Sequence, residues 1–374
     1  MISPQKVYET LKSINVDFYA GVPDSLLKDF CAYITEHNKD NHIIASNEGA
    51  AIGLAIGHHL GTGKTPVVYM QNSGLGNIVN PVLSMVDKDV YGIPMVLVIG
   101  WRGEMKSDGT QLKDEPQHIK QGRITADLLD TMEIPYVVID ADTADIVRVL
   151  KDTVAQAQKD LCPVAILVRK GTFEKYILAS EPNGYSMSRE SAISTFVDSL
   201  TSKDIVIGTT GMPSRELFEV RKEKGQPNND FLCVGGMGHA SSIAVGVAQA
   251  DTDKTVWCLD GDGALIMHMG ALCINKDYDL NHFMVNNGAH DSVGGQPTVA
   301  FDVDIVAIAI GSGYKWAKCV DNDVDLQKAL VEIKAAPKPA LLEVRVSKGN
   351  RPELGRPTLT PKQTKRIFMD TIKK

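Results

Sequence analysis

Short apolar runs alternate with longer segments of helical periodicity along the whole chain. In the first half, the apolar pattern predicts strands near 16–20, 42–46, 66–71, 94–100, 135–140 and 163–169. Helical spacing lies between them, clearest at 24–36, 48–60 and 143–158. The stretch 172–188 loses this rhythm and carries Glu181-Pro-Asn-Gly-Tyr-Ser, so it reads as a linker. Strands then resume near 204–208, 231–234, 255–259, 282–286, 316–320 and 340–346. Such alternation predicts parallel sheets covered by helices on both faces. The expected fold is α/β, with two doubly wound parallel-sheet domains over residues 1–180 and 186–374.

Composition narrows the partners. A net charge of −7 and a pI near 5.7 argue against nucleic acid or an anionic membrane as the main partner. Six cysteines, Cys31, Cys162, Cys233, Cys258, Cys273 and Cys319, lie in apolar runs without a Cys-x-x-Cys pair. They read as reduced core residues of a cytoplasmic protein. The start, Met-Ile-Ser-Pro-Gln-Lys, has no apolar signal core, and no segment of about 18 apolar residues is present to span a bilayer.

Two strands of the second half end in specific chemistry. One runs into Asp260-Gly-Asp-Gly263, the other into Asn286-Asn-Gly-Ala-His290. Consecutive strand ends of a parallel sheet lie side by side at the carboxyl edge, where ligands bind. There the Asp262 carboxylate, the Asn287 amide oxygen and a nearby backbone carbonyl form a hard oxygen set suited to Mg²⁺. The glycines let the backbone approach a phosphate, and the N–H groups of Gly263 and Ala264 open the next helix as an anion site. These residues imply a metal–diphosphate ligand. By contrast, Gly61-Thr-Gly-Lys-Thr65 follows a helix and precedes a strand, the reverse of the order a P-loop needs. His58 and His59 are adjacent on a predicted helix, face different directions, and read as helix surface.

Gly261-Asp-Gly263, 22 intervening residues and Asn286-Asn287 resemble the motif of thiamine-diphosphate enzymes, with a spacer slightly shorter than the family's. The resemblance implies that Asp262, Asn287 and Ala289 hold Mg²⁺, and that Gly263, Ala264, Thr210 and Gly211 meet the cofactor diphosphate. It further implies that the Gly235 carbonyl accepts a bond from the pyrimidine amine and that Met237 wedges beneath the cofactor. Glu48, which follows the second strand and opens a helix, is implied as the glutamate that bonds the aminopyrimidine and activates the cofactor. Cofactor sites between subunits are implied too, so a homodimer is the smallest expected assembly and a tetramer is compatible.

The chain has no room for the middle domain that many family members carry. It is similar to the compact two-domain members that decarboxylate phosphonopyruvate or sulfopyruvate. The strings Gly21-Val-Pro-Asp-Ser25, Gln71-Asn-Ser-Gly-Leu-Gly76, Trp101-Arg-Gly, Asp114-Glu-Pro-Gln-His-Ile-Lys-Gln-Gly122 and Asn286-Asn-Gly-Ala-His-Asp-Ser-Val-Gly-Gly-Gln-Pro297 carry that likeness through both halves. The implied reaction converts 3-phosphonopyruvate, a small-molecule 2-oxo acid, to phosphonoacetaldehyde and CO₂, with sulfopyruvate as the alternative substrate. Ser25, Arg102, His118, Lys120 and His290 are the expected oxyanion partners, with His118, Lys120 and His290 on loops. Asp24 and His118 are the expected proton-transfer groups. Pyruvate decarboxylases carry a histidine pair where His118 stands and a glutamate where Val293 falls, and both departures argue against simple pyruvate. The remote alternative is a non-catalytic nucleotide-binding α/β protein whose glycine-rich turns hold another phosphate ligand, which leaves Glu48 and the asparagine pair unexplained.

Overall fold

The computed structural model describes residues 1–250 and 253–373; Asp251, Thr252 and Lys374, the last residue of the expected second domain, lie outside the described residues. The chain divides into two compact units, Met1–Ser180 with Val293–Gln296, and Glu181–Ser292 with Pro297–Lys374.

The first unit holds strands β1 (Tyr19–Gly21), β2 (His42–Ile44), β3 (Val67–Gln71), β4 (Met95–Gly100), β5 (Tyr136–Ile139) and β6 (Pro163–Val168). They form one sheet in the order β2-β1-β3-β4-β6-β5, every pair parallel. Met95–Gly100 reads Met-Val-Leu-Val-Ile-Gly and is buried throughout, as expected of a central strand covered on both faces. Two apolar clusters, one including Leu11, Phe30 and Val96 and the other Ile52, Leu97 and Leu129, fill the unit's core. The helix Glu48–Thr62 starts where Asn47 accepts the Ala50 N–H at 2.9 Å, and it stops at Gly63, whose φ of 71° only glycine adopts without strain. The register pairs Gly21 with Tyr69 and Gln71 with Gly100. The chain therefore leaves β1, β3 and β4 at one edge, carrying Asp24, Gln71 and Arg102 there.

The second unit repeats the scheme with β7 (Asp204–Gly208), β8 (Phe231–Leu232), β9 (Thr255–Gly261), β10 (Asn281–Asn286), β11 (Trp316–Val320) and β12 (Ala340–Arg345). Their order is β11-β12-β10-β9-β7-β8, again parallel throughout. Gly261 pairs with Val285, so the Gly-Asp-Gly turn and the asparagine pair leave neighbouring strands side by side. The two parallel sheets without a middle domain are the fold the alternation predicts. Part of the expected linker is anchored: Asn183 and Met187 bond to residues of the second unit, and Ser188 caps the helix Arg189–Ser199.

No helix among the described residues is long and apolar enough to cross a membrane. The cysteines form no disulfide among the described residues, but they are not all core residues: Cys273 is exposed, and Cys233 and Cys319 are half-buried.

Candidate active site

In the first unit, the turn after β3 organises the site. Gln71 donates from Nε2 to Oδ1 of Asp24 at 2.6 Å, and the Leu26 N–H reaches Oδ2 at 2.9 Å. Asp24 is fully buried, and burial pushes its carboxyl above the usual carboxylate range despite those bonds and the nearby Arg102 charge. Asn72 clamps the backbone of Arg102, accepting its N–H at 3.1 Å and donating to its carbonyl at 3.0 Å. Gly74 makes room for Glu48, because a Cβ at Gly74 would lie 2.5 Å from Glu48 Oε1. Glu48 is buried in the first turn of its helix, and Asn77 donates to its Oε2 at 2.7 Å.

Arg102 is committed on most sides. Its Nε bonds Asp114 Oδ2 at 2.7 Å, Nη2 bonds Asp114 Oδ1, and Nη1 donates to Ser25 Oγ at 2.9 Å. Burial opposes ionisation of Asp114, but the Arg102 bonds and charge hold it below the usual range. His118 is buried beside them with Nδ1 unpartnered, and burial together with the Arg102 charge holds its pKa below the usual value.

In the second unit, Asp262 is buried, and burial pushes its carboxyl up to about 6. Thr298 donates its hydroxyl to Oδ2, and no cationic side chain forms an ion pair with Asp262 among the described residues. The asparagine pair splits its work. Asn286 turns inward, donating to Glu343 at 2.8 Å and accepting the Gly288 N–H at 3.1 Å. Asn287 Oδ1 accepts the Ala289 N–H at 3.3 Å. At the end of β7, Thr209 Oγ1 is buried without a partner, and Gly211 adopts φ 95° ahead of the helix Met212–Glu223. Thr210, Gly235 and Met237 are half-buried on the loops after β7 and β8. Next to Met237, Gly238 packs so closely that a Cβ would lie 3.0 Å from the Ala264 carbonyl. A Cβ on Gly263 would lie 2.8 Å from His290 Cε1, so the second unit gathers Asp262, Gly263, Ala264 and His290.

A buried carboxylate without a cationic partner, an amide oxygen, an orphaned hydroxyl and close-approach glycines fit a cation–diphosphate group. The helix Asp262–Met267 has only six residues, so individual N–H groups at Gly263 and Ala264 matter more than a macrodipole.

The structure brings Asp24, Ser25, Arg102 and His118 together, but several expectations need correction. His118 and Lys120 lie on the helix Pro116–Thr131 rather than a loop; two positions apart, they face different ways, His118 buried and Lys120 exposed. His290 belongs to the second unit, and burial pushes it down to about 4, so it is neutral rather than a cationic oxyanion partner. His58 is no plain surface residue, since it stacks on Phe18 with ring centroids 4.3 Å apart. Sequence reasoning missed Gln71, Asn77, Asp114 and Thr209. Only their places beside predicted strand ends or in conspicuous strings offered a signal.

Comparison with known proteins finds two family models on the chain. The N-terminal TPP binding domain of thiamine pyrophosphate enzymes matches residues 4–127, and the C-terminal TPP binding domain matches residues 207–344. A phosphonopyruvate decarboxylase of Streptomyces hygroscopicus is 31% identical over 391 residues, covering 99% of this chain and 94% of that protein. One from Streptomyces viridochromogenes is 31% identical over 392 residues, covering 98% and 94%. A sulfopyruvate decarboxylase of Methanosarcina acetivorans is 25% identical over 400 residues, covering 100% and 98%.

Proposed function

The chain belongs to the family of thiamine pyrophosphate enzymes, and on that premise we propose that it decarboxylates 3-phosphonopyruvate to phosphonoacetaldehyde and CO₂. The observation that carries this reading is 31% identity to phosphonopyruvate decarboxylases across nearly the whole of both chains. When bound, thiamine diphosphate supplies the sink for the electron pair left as CO₂ departs. The protein's share is to bind, orient and move protons.

In this reading the first unit takes the pyrimidine and the substrate, and the second takes the diphosphate. Glu48, held by Asn77 and fitted against Gly74, bonds the pyrimidine ring nitrogen. The Gly235 carbonyl would accept from the pyrimidine amine, and Met237 would give the cofactor an apolar support. Asp262, Asn287 and the Ala289 carbonyl hold Mg²⁺, while Thr210, Gly211, Gly263 and Ala264 meet the diphosphate. The unpartnered Thr209 hydroxyl adds a donor to that set. Arg102 and Ser25 present fixed donors to the phosphonate, with His118, whose imidazolium form is disfavoured, beside them. Lys120 contributes at most through its field from the exposed face of its helix. Asp24, protonated to higher pH than an ordinary carboxyl, delivers the proton that replaces CO₂, and His118 takes part in proton transfer as the acceptor through its unpartnered Nδ1. The working unit is a homodimer or a larger homo-oligomer.

A sulfopyruvate reading is favoured by one observation, the full-length likeness at 25% identity. Sulfonate and phosphonate share a tetrahedral array of oxygens, so the same donors suit both. Steady-state CO₂ release from phosphonopyruvate, sulfopyruvate and pyruvate, with and without thiamine diphosphate and Mg²⁺, tests the proposal. Cofactor-dependent turnover fastest on phosphonopyruvate supports it, and a preference for either other acid defeats the substrate assignment.

A further inference from the structure

We propose that the buried chain Glu216–Arg189–Asp291 is a positioning device that fixes the side-chain amide of Asn287 with its oxygen, not its nitrogen, toward the divalent cation. The inference rests on the reading of Asn287 as a metal ligand.

Asn287 Nδ2 donates to Asp291 Oδ2 at 2.6 Å. The same oxygen accepts from Arg189 Nη1 at 2.9 Å and from the Gly349 N–H at 2.9 Å. Arg189 is itself locked: Nε and Nη2 meet the two oxygens of Glu216 at 2.7 and 3.0 Å, and Nη2 also reaches the Gly349 carbonyl at 3.3 Å. The side chains of Arg189 and Glu216 are 4% and 2% exposed, so this fork is held in the interior rather than in water.

The chemistry of the contact settles the amide's orientation. Asp291 Oδ2 already accepts from Arg189 and the Gly349 N–H, so it acts as an acceptor and the NH₂ end of Asn287 must face it. The oxygen is then turned the other way, where it takes the Ala289 N–H and keeps a lone pair. The two ends of an asparagine amide have nearly the same shape. Without a partner that discriminates, the flipped rotamer would present NH₂, a group that cannot ligate a cation. Asp291 discriminates, and Arg189 keeps its carboxylate aimed. The backbone is pinned as well, because Asn183 donates to the Asn287 carbonyl at 3.0 Å and to the Val346 carbonyl at 2.8 Å. A buried ion pair adds little net stability compared with apolar packing, so stability alone does not explain three charged groups here.

The test measures the Mg²⁺ concentration that supports half-maximal thiamine diphosphate binding, by calorimetric titration, alongside the melting temperature of the cofactor-free protein. In Asp291→Ala, the oxygen shared by Asn287, Arg189 and Gly349 is gone while the Arg189–Glu216 fork remains, so the Asn287 amide is free to turn over. The required Mg²⁺ rises about ten-fold or more, the range for losing a partner that orients a ligand. In the double variant Asn287→Asp with Asp291→Ala, both ends of the side chain at 287 are oxygens, so an oxygen faces the cation in either rotamer. This variant brings the requirement back to within about three-fold of the parent, which general packing damage at position 291 would not do. An unchanged requirement in Asp291→Ala, or no recovery in a folded double variant, overturns the proposal. Failure of both variants to fold overturns it too, by assigning the contact to stability. Unchanged Mg²⁺ dependence in Asn287→Ala removes instead the ligand reading on which the inference rests.

Discussion

Arg102 grips Asp114 with two bonds, one of them 2.7 Å from Nε, so the arginine at the end of β4 is already neutralised by a carboxylate of its own unit. Its remaining bond to Ser25 Oγ aligns Nη1 and the hydroxyl as a pair of fixed donors. A dianionic substrate group would meet oriented N–H and O–H groups rather than a free positive charge. Such pre-aligned donors favour geometry over bulk attraction.

Replacing Arg102 with glutamine removes Nη1, the donor left to a terminal oxyanion beside Ser25, along with the grip on Asp114. Because a charge-assisted bond contributes about 1.5–3 kcal/mol, kcat/KM for phosphonopyruvate should fall roughly ten- to hundred-fold. Pyruvate, which has no such group, should lose less. Parallel losses on the two acids would place Arg102 outside the phosphonate site.

The pH profile carries a second consequence. Burial and the Arg102 charge both disfavour the imidazolium form of His118, so the acid limb of kcat/KM should lie below the ordinary histidine value of about 6.5. In Arg102→Gln the opposing cation is gone and Asp114 is freed to favour protonation. The limb should then move to higher pH. A limb that stays in place would disconnect His118 from the rate.

Glu48→Gln keeps the side chain's shape and its contact with Asn77, but cannot drive the pyrimidine into its protonated tautomer. Turnover should fall by about 10² or more, while cofactor titration still shows binding. A rate near the parent's would leave Glu48 as a helix-start acid favoured by the local dipole.

Thr209→Val tests the orphaned hydroxyl at the end of β7. If Oγ1 waits for the diphosphate, the Kd for thiamine diphosphate should rise roughly ten-fold, the loss of one charge-assisted bond. The cofactor-free protein should melt no lower, because an unsatisfied buried hydroxyl has been removed. Unchanged affinity would mean that the hydroxyl never meets the cofactor.

Both sheets were legible because buried parallel strands are apolar runs, as in Met95–Gly100 and the Val256-Trp-Cys-Leu259 stretch of β9. The edge where chemistry gathers followed from topology, since parallel strands release their carboxyl ends together. Pairings were not legible. Gln71 meets Asp24 across 47 positions, and Asn77 meets Glu48 across 29, and no local pattern encodes such distances. His118 and Lys120 were expected on a loop because polar residues around Pro116 obscure the helix that this proline in fact opens. Charge alone made His290 an oxyanion partner in the sequence; packing against Gly263 buries and neutralises it.

The most direct test is competition in one vessel. Equal concentrations of phosphonopyruvate, sulfopyruvate and pyruvate would be given to the enzyme with thiamine diphosphate and Mg²⁺, and all three followed by NMR. Phosphonopyruvate should disappear at least about ten times faster than either competitor, the discrimination expected from one well-placed charge-assisted bond, with phosphonoacetaldehyde accumulating in step. Faster loss of sulfopyruvate or pyruvate, or no cofactor-dependent loss of phosphonopyruvate, would contradict the assignment.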